Sequence, residues 1–430
     1  MSHLAVLMNG VEAGRLDYER GRLTLTYAGS WRARRDAMPI SLSMPLTAEA
    51  HSGAVVEAFL WGLLPDNELI IRDWAAKFQV SARQPFGLIG AVGEDCAGAV
   101  QFVQPERLEA VLSGERDGVE WISEEEVGAR LVDLRGNKGA WRRSGDQGQF
   151  SLAGAQPKIA LLQQGGRWGV PSGRVPTTHI LKPPSADIEA QAENEHLCLS
   201  VLRSFDLPVA ASRVRRFGEE VAIVVERYDR FEGRDGLIRR VHQEDFCQAL
   251  GVMPDRKYQN QGGPGLKALI GLLREASADP QEDINTLLTA SIFNWIIGGS
   301  DAHAKNFSLL LGAAGAHRLA PIYDVASILP YSPQVQFQDI KLAMKIGGEY
   351  RLRDMGLKQW GRFAEENRLD FEMVRDRIAD MAAKLPDQAA AVRDQIAADG
   401  APHPLNDKLV TCFAERAAWA QGELAKGAAA

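Results

Sequence analysis

Cysteine is scarce in this chain: Cys96, Cys198, Cys247 and Cys412 are four in 430 residues, far apart in the sequence. That spacing excludes a disulfide framework and a paired-cysteine zinc site, and the four read as reduced core thiols of a cytoplasmic protein. No apolar run approaches the roughly 18 residues of a membrane-spanning helix. The N-terminus, Met1-Ser2-His3-Leu4, lacks a basic stretch ahead of an apolar one, so no signal peptide is expected. Positive charge is not in excess either. With 49 Lys and Arg against 56 Asp and Glu, the net charge is −7, which excludes a whole-chain electrostatic nucleic-acid binder. Any DNA contact requires a local patch or a basic partner. No internal repeat is present. What remains is an ordinary soluble composition, 45% hydrophobic and 24% charged, in a 47.0 kDa chain long enough for two or three domains.

The stretch Asp301-Ala302-His303-Ala304-Lys305-Asn306 lies between two apolar runs, 292–297 and 307–311, the first broken by Gly298-Gly299-Ser300. A short polar loop between buried segments is held rigidly and aims its side chains. An aspartate five residues ahead of an asparagine is the spacing of a kinase catalytic loop. There the Asp accepts the substrate's hydroxyl proton and the Asn holds magnesium. Downstream, Pro321-Ile322-Tyr323-Asp324 ends another apolar stretch in a second carboxylate, suited to be the other metal ligand. The spacing alone also suits a capped turn between two core segments.

Along the rest of the chain, Asn9-Gly10 between apolar runs signals a hairpin, and 23–27 alternates as a strand. Residues 38–45, bracketed by Pro39 and Pro45, read as an edge strand. Residues 55–64 and 70–78 read as helices, the first stopping at Pro65. The Gly- and Ala-rich stretch 87–103 reads as a close-packed turn leading into a strand. Ser123 ahead of Glu124-Glu125-Glu126 opens a helix, and 142–149 reads as a flexible connector. In Phe150-Ser151-Leu152-Ala153-Gly154-Ala155-Gln156-Pro157-Lys158, small residues suit a turn whose N–H groups approach phosphates, with a lysine adding charge. An ordinary tight hairpin is the plainer reading of the same residues. Lys182 ends an apolar strand, either as a solvated strand end or as a lysine reaching nucleotide phosphates. Residues 221–230 form a buried strand ending in charge, where a bilobed kinase would cross between lobes. From 243 onward the pattern is mainly helical, and 363–428 is alanine-rich and amphipathic with a break near 402–404. A strand-rich part ahead of a helical part gives an α+β fold with the layout of a bilobed kinase.

Taken together, the motifs resemble those of the HipA family, the toxin kinases of bacterial type II toxin–antitoxin modules. The matches are Leu63-Leu64-Pro65-Asp66-Asn67-Glu68, Asp95-Cys96-Ala97-Gly98-Ala99, Ser151-Leu152-Ala153-Gly154-Ala155-Gln156-Pro157-Lys158 and Pro176-Thr177-Thr178-His179-Ile180-Leu181-Lys182. They continue through Glu226-Arg227-Tyr228-Asp229-Arg230, Gln243-Glu244-Asp245, Gly262-Gly263-Pro264-Gly265, the 301–306 loop and Tyr323-Asp324. They span nearly the whole chain in family order.

The resemblance implies a protein-kinase-like fold in three parts: an α+β N-terminal subdomain over 1–108, the rest of a strand-rich N lobe over 109–228, and a helical C lobe over 229–430. It implies that Asp301 is the catalytic base and that Asn306 and Asp324 hold magnesium. Ala153, Gly154, Ala155, Gln156 and Lys158 would form the phosphate loop, and Lys182 would contact the α- and β-phosphates of ATP. Glu226 and Tyr228 would offer main-chain bonds to adenine, with His303 and Tyr323 also at the nucleotide. Ser151 would be autophosphorylated and its loop would then leave the site, since a dianionic phosphate repels those of ATP. Pro157, where an acid is common in the family, removes one N–H from the phosphate loop; Ala302 stands where glycine is common. The implied substrate is an aminoacyl-tRNA synthetase, blocked so that growth arrests and cells persist. The implied partners are a HipB-like helix-turn-helix antitoxin dimer and, mainly through it, operator DNA. Arg351, Arg353, Lys358 and Arg362 are candidates for a direct DNA contact, although a solvated helix face suits them too. The competing function is a catalytically weak corepressor that mainly binds antitoxin and operator.

Overall fold

The computed structural model describes residues 2–136, 150–185 and 188–428, so the connector expected at 142–149 lies outside the described residues. The chain divides into two compact units. The first comprises Met1–Asp187, Arg216–Arg256 and Ser308–His317; the second comprises Ile188–Arg215, Lys257–Phe307 and Arg318–Ala430.

In the first unit, β1 (Ser2–Met8) and β2 (Val11–Glu19) form the hairpin expected at Asn9-Gly10, whose two turn residues take φ of 50° and 77°. With β3 (Arg22–Tyr27), β4 (Ala50–Ser52) and β5 (Val100–Val103) they make an antiparallel sheet ordered β4-β3-β2-β1-β5. Five adjacent strands of a second, six-stranded sheet are β6 (Gly118–Ile122), β7 (Ile159–Gln164), β8 (Arg167–Ser172), β9 (His179–Lys182) and β10 (Glu220–Glu226), in the order β10-β9-β7-β8-β6. One continuous apolar core joins Leu25, Phe59 and Phe102 to Leu181 and Val224. The helices Ala54–Gly62 and Glu68–Phe78 match their periodicity, and Ser123 caps Glu124–Gly136 by accepting from the Glu126 N–H at 3.2 Å.

Two sequence expectations fail in this unit. Residues 38–45 are not an edge strand; only Ser41 and Met44 bridge each other. Their polar groups are taken by side chains instead. The Tyr27 hydroxyl donates to Met44 O at 2.6 Å and accepts the Ile40 N–H at 2.9 Å, and Glu244 Oε1 accepts the Leu42 N–H at 2.7 Å. The stretch 87–103 is also not a turn throughout, because Pro85–Val92 is a helix capped by Gln84. Its glycines disguise it, and packing explains one of them: a Cβ at Gly87 would stand 2.9 Å from Val80 Cβ.

Glu244 gives the unit a pH signature. Burial pushes its carboxyl from the ordinary 4.5 up to about 8, against the opposing hydrogen bond from Leu42. Between those values the folded chain keeps a proton that the unfolded chain releases. This contribution to stability is therefore full below about pH 4.5 and is lost as pH rises to about 8. Glu244→Gln keeps the acceptor for Leu42 and carries no titration. It is expected to match the parent in unfolding free energy near pH 4.5 and to exceed it at pH 8.5, by on the order of 5 kcal/mol. Parallel curves for the two proteins would contradict this.

The second unit is built around the helix Pro280–Ile297, capped by Asp279 and ended by Gly298 at φ 67°. The helix is buried on nearly every side, as its apolar composition requires. Trp295 packs edge-on against Trp360 and Trp419 at 5.6 and 5.5 Å, and Phe293 against Phe413 at 6.5 Å. Against it pack Leu266–Ala276, Phe371–Ala398 and Pro404–Ala428, with Gln191–Arg203 and Leu357–Glu366 packed on the last two. The expected helical pattern is interrupted by strands, among them the pair Lys341–Ile346 with Glu349–Arg351 in this unit. Arg351, Arg353, Lys358 and Arg362 are all exposed. Among the described residues no helix is long and apolar enough to cross a membrane.

Candidate active site

Where the helix Pro280–Ile297 stops, Gly298 adopts the left-handed conformation that glycine takes without a Cβ clash. The Gly299 N–H donates back to Asn294 O at 2.7 Å, and the chain turns at once into 301–306. There Asn306 Nδ2 donates to Asp301 O at 2.7 Å, and the His303 N–H donates to the same carbonyl at 2.8 Å. The aspartate and asparagine expected to act together are thus locked into one closed turn. The Asp301 side chain is 65% exposed, whereas that of His303 is buried. The 321–324 segment is tied to this turn by the Tyr323 hydroxyl, which donates to Lys305 O at 2.7 Å. Ile322 forms a parallel bridge with Val209. Asp324 then sits at φ 57°, a left-handed conformation that aspartate enters more readily than most non-glycine residues. Asn306 spends its amide nitrogen on Asp301, which leaves its oxygen for a cation. That oxygen and the Asp324 carboxylate are hard donors of the kind magnesium takes while keeping several of its waters. Nothing in the sequence singles out Tyr258, yet its hydroxyl donates to Asp301 Oδ1 at 2.6 Å.

The Ser151 stretch is not a hairpin. Its partners are two separate segments, since Asp95 bridges Phe150 and Pro65 bridges Gly154, both in parallel sense. Ser151 is 0% exposed. Its Oγ donates to Leu63 O at 2.7 Å and its N–H to Asp95 O at 3.0 Å. The Asp66 N–H donates to Gly154 O at 3.1 Å. Gly154, at φ 105°, lets Lys158 Nζ reach back to Ala153 O at 2.6 Å. Gln156 Nε2 donates to Pro183 O at 3.1 Å. Lys182 is not a solvated strand end: it is buried, and it pairs with Ile223 between β9 and β10. Glu226 closes β10 opposite His179. The Tyr228 hydroxyl donates to Gln243 Oε1, and burial raises its pKa. Ala153, Gly154, Ala155, Gln156, Lys158, Lys182, Glu226 and Tyr228 belong to the first unit; Asp301, His303, Asn306, Tyr323 and Asp324 belong to the second.

The charges that follow β10, on Arg227, Asp229 and Arg230, turn out to be buried. Asp95 accepts Arg230 Nη2 at 2.9 Å, Arg240 Nη2 at 3.0 Å and Thr177 Oγ1 at 2.7 Å. Arg227 grips Asp229 with two bonds of 3.0 and 2.9 Å, the bidentate geometry that suits a guanidinium. Burial alone would raise both carboxyls, but the surrounding guanidiniums overcome it and hold them well below the usual carboxylate range. The Gly98 N–H donates to Asp229 Oδ2 at 2.7 Å. Gly98 sits at φ 76°, and a Cβ there would stand 2.7 Å from Gln243 N. The motifs at 95–99 and 226–230 are therefore one ionic network, and its Asp95 carbonyl holds the Ser151 backbone. An aspartate before Cys-Ala-Gly-Ala in an apolar setting was the available signal, without any indication of its partners.

The comparisons with known proteins agree with these motifs. Residues 4–103 match the model of the HipA N-terminal domain, and residues 150–389 match that of the HipA-like C-terminal domain. Y4mE of Sinorhizobium fredii, a protein named only as a proposed kinase, is 36% identical over 395 residues, covering 90% of this chain and 91% of that protein. The serine/threonine-protein kinase toxin HipA of Shewanella oneidensis is 28% identical over 91% of this chain and 88% of its own. In fold, the chain matches a solved complex of HipA, HipB and operator DNA from Shewanella oneidensis MR-1, with a TM-score of 0.82, 98% of both chains covered and 24% identity. The architecture is thus the α+β, kinase-like one of HipA, and the chain belongs to the HipA family.

Proposed function

We propose that this protein is an ATP-dependent serine/threonine kinase serving as the toxin of a type II toxin–antitoxin module. The observation that carries the reading is the closed turn in which Asn306 Nδ2 is bonded to Asp301 O, with Tyr323 tied to Lys305 beside it. In this reading Asp301 accepts the proton of an acceptor serine. A bond forms from that serine's oxygen to the γ-phosphorus of ATP, the bond to the β–γ bridging oxygen breaks, and ADP leaves with the electron pair. Asn306 and Asp324 would hold magnesium, which when bound neutralises charge on the phosphate oxygens. Lys182, Lys158 and the backbone of 153–156 would contact phosphates, Glu226 and Tyr228 the adenine, and His303 the nucleotide. The acceptor protein would be an aminoacyl-tRNA synthetase. A HipB-like antitoxin dimer would restrain the toxin and carry it to operator DNA, in keeping with the chain's net charge of −7.

Ser151 would be the self-inactivating site. A phosphate cannot be added to a fully buried hydroxyl that donates to Leu63 O unless the 150–154 segment first leaves its partners. The test starts from phosphatase-treated protein incubated with labelled ATP and magnesium, with incorporated phosphate located by mass spectrometry. Phosphate on Ser151 is expected, with transfer activity falling as it accumulates. A protein that binds no ATP would overturn the kinase reading; one that binds ATP without any transfer would favour the corepressor.

A further inference from the structure

We propose that Tyr258 is a positioning residue for Asp301, holding one carboxylate oxygen so that the other faces the acceptor hydroxyl. This rests on the reading of Asp301 as the base. The Asp301 side chain is 65% exposed, with the buried His303 ring nitrogen Nε2 4.0 Å from its Oδ1. The Tyr258 hydroxyl, 2.6 Å from Oδ1, is at the distance of a charge-assisted O–H···O⁻ bond, which is stronger than a neutral one. The phenol is itself fixed. Its ring stands edge-to-face with buried His303, centroids 4.9 Å apart at 89°. Its carbonyl accepts the N–H groups of Gln261 and Gly263, each at 3.0 Å, around Gly262 at φ 88°. The preceding carbonyl, Lys257 O, accepts the Ala304 N–H at 3.4 Å. The Gly262-Gly263-Pro264-Gly265 turn thus has a task in this molecule: it pins the tyrosine that pins the aspartate.

Tyr258→Phe removes one oxygen and keeps the ring against His303. Magnesium-dependent ADP release from ATP, whether to water or to the protein's own serine, is the assay. The variant is expected to lose about 10–100-fold in kcat, as a misplaced catalytic group does. The KM for ATP and the melting temperature should stay at parental values. In an Asp301→Asn background the same change is expected to cost almost nothing further, because a residue that acts through Asp301 has nothing left to act on. A parental rate for Tyr258→Phe, or equal losses in both backgrounds, would overturn the proposal while leaving the kinase reading intact. A parental rate for Asp301→Asn alone would instead remove Asp301 as the base, and absent ADP release from the parent would remove the kinase reading itself.

Discussion

Asp301→Asn is expected to slow phosphoryl transfer by about 10²–10⁴-fold, the usual contribution of a positioned general base and about 3–5 kcal/mol of transition-state stabilisation. The substitution is clean for structural reasons. The side chain is 65% exposed, and the bonds that close the loop, from Asn306 Nδ2 and from the His303 N–H, are made to the Asp301 backbone carbonyl. Asparagine keeps the shape and an acceptor for Tyr258 while losing the charge and the basicity, so the melting temperature and ATP affinity by calorimetry should stay close to the parent. Phosphate on Ser151 should disappear from the mass spectrum together with ADP release. Asn306→Ala differs in kind, since it opens the turn and removes an oxygen donor at once.

The largest expected loss of stability is at Asp95. Asp95→Asn takes the carboxylate away from the buried guanidinium of Arg240 and leaves those of Arg227 and Arg230 to share Asp229. Breaking a buried ion pair on one side costs about 3–5 kcal/mol, because the remaining charge stays desolvated without its partner. For a chain whose total stability is on the order of 10 kcal/mol, that is a large fraction. The urea midpoint should fall accordingly. The loss should persist at high salt, since counterions do not reach a buried cluster. Two controls separate the mechanism from a general effect of losing an acid. Asp235→Asn, which breaks an ion pair with both side chains about half exposed, should leave the urea midpoint almost unchanged, because solvent screens such a pair. Asp95→Asn with Arg240→Met should recover part of the loss, because it restores the charge balance. A parental midpoint for Asp95→Asn would mean that the cluster contributes little.

Much of this molecule is legible from local pattern. Asn9-Gly10, the helix ended by Gly298 and the Asp-x4-Asn loop were readable because turn chemistry, capping and a five-residue spacing act over a few positions of the chain. Expectations failed where backbone groups were satisfied from far away. Residues 38–45 look like an edge strand until Tyr27 and Glu244 take their polar groups. The Pro85–Val92 helix is hidden by glycines, one of which faces Val80.

The sequence by itself determined the family, the α+β architecture and the residues that carry the proposed chemistry. Those rest on short motifs in order, and on the periodicity of apolar residues. Only the tertiary structure decided what those motifs touch. Asp95 meets Arg230 and Arg240 across separations of 135 and 145 residues, and Tyr258 meets Asp301 across 43. Ser151 is closed off by Leu63 and Asp95 rather than by its own neighbours. Spacing in sequence governs which residues share a turn or a helix face. Which charges are desolvated together, and which hydroxyl reaches the proposed catalytic carboxylate, depends on chain segments that meet only after folding.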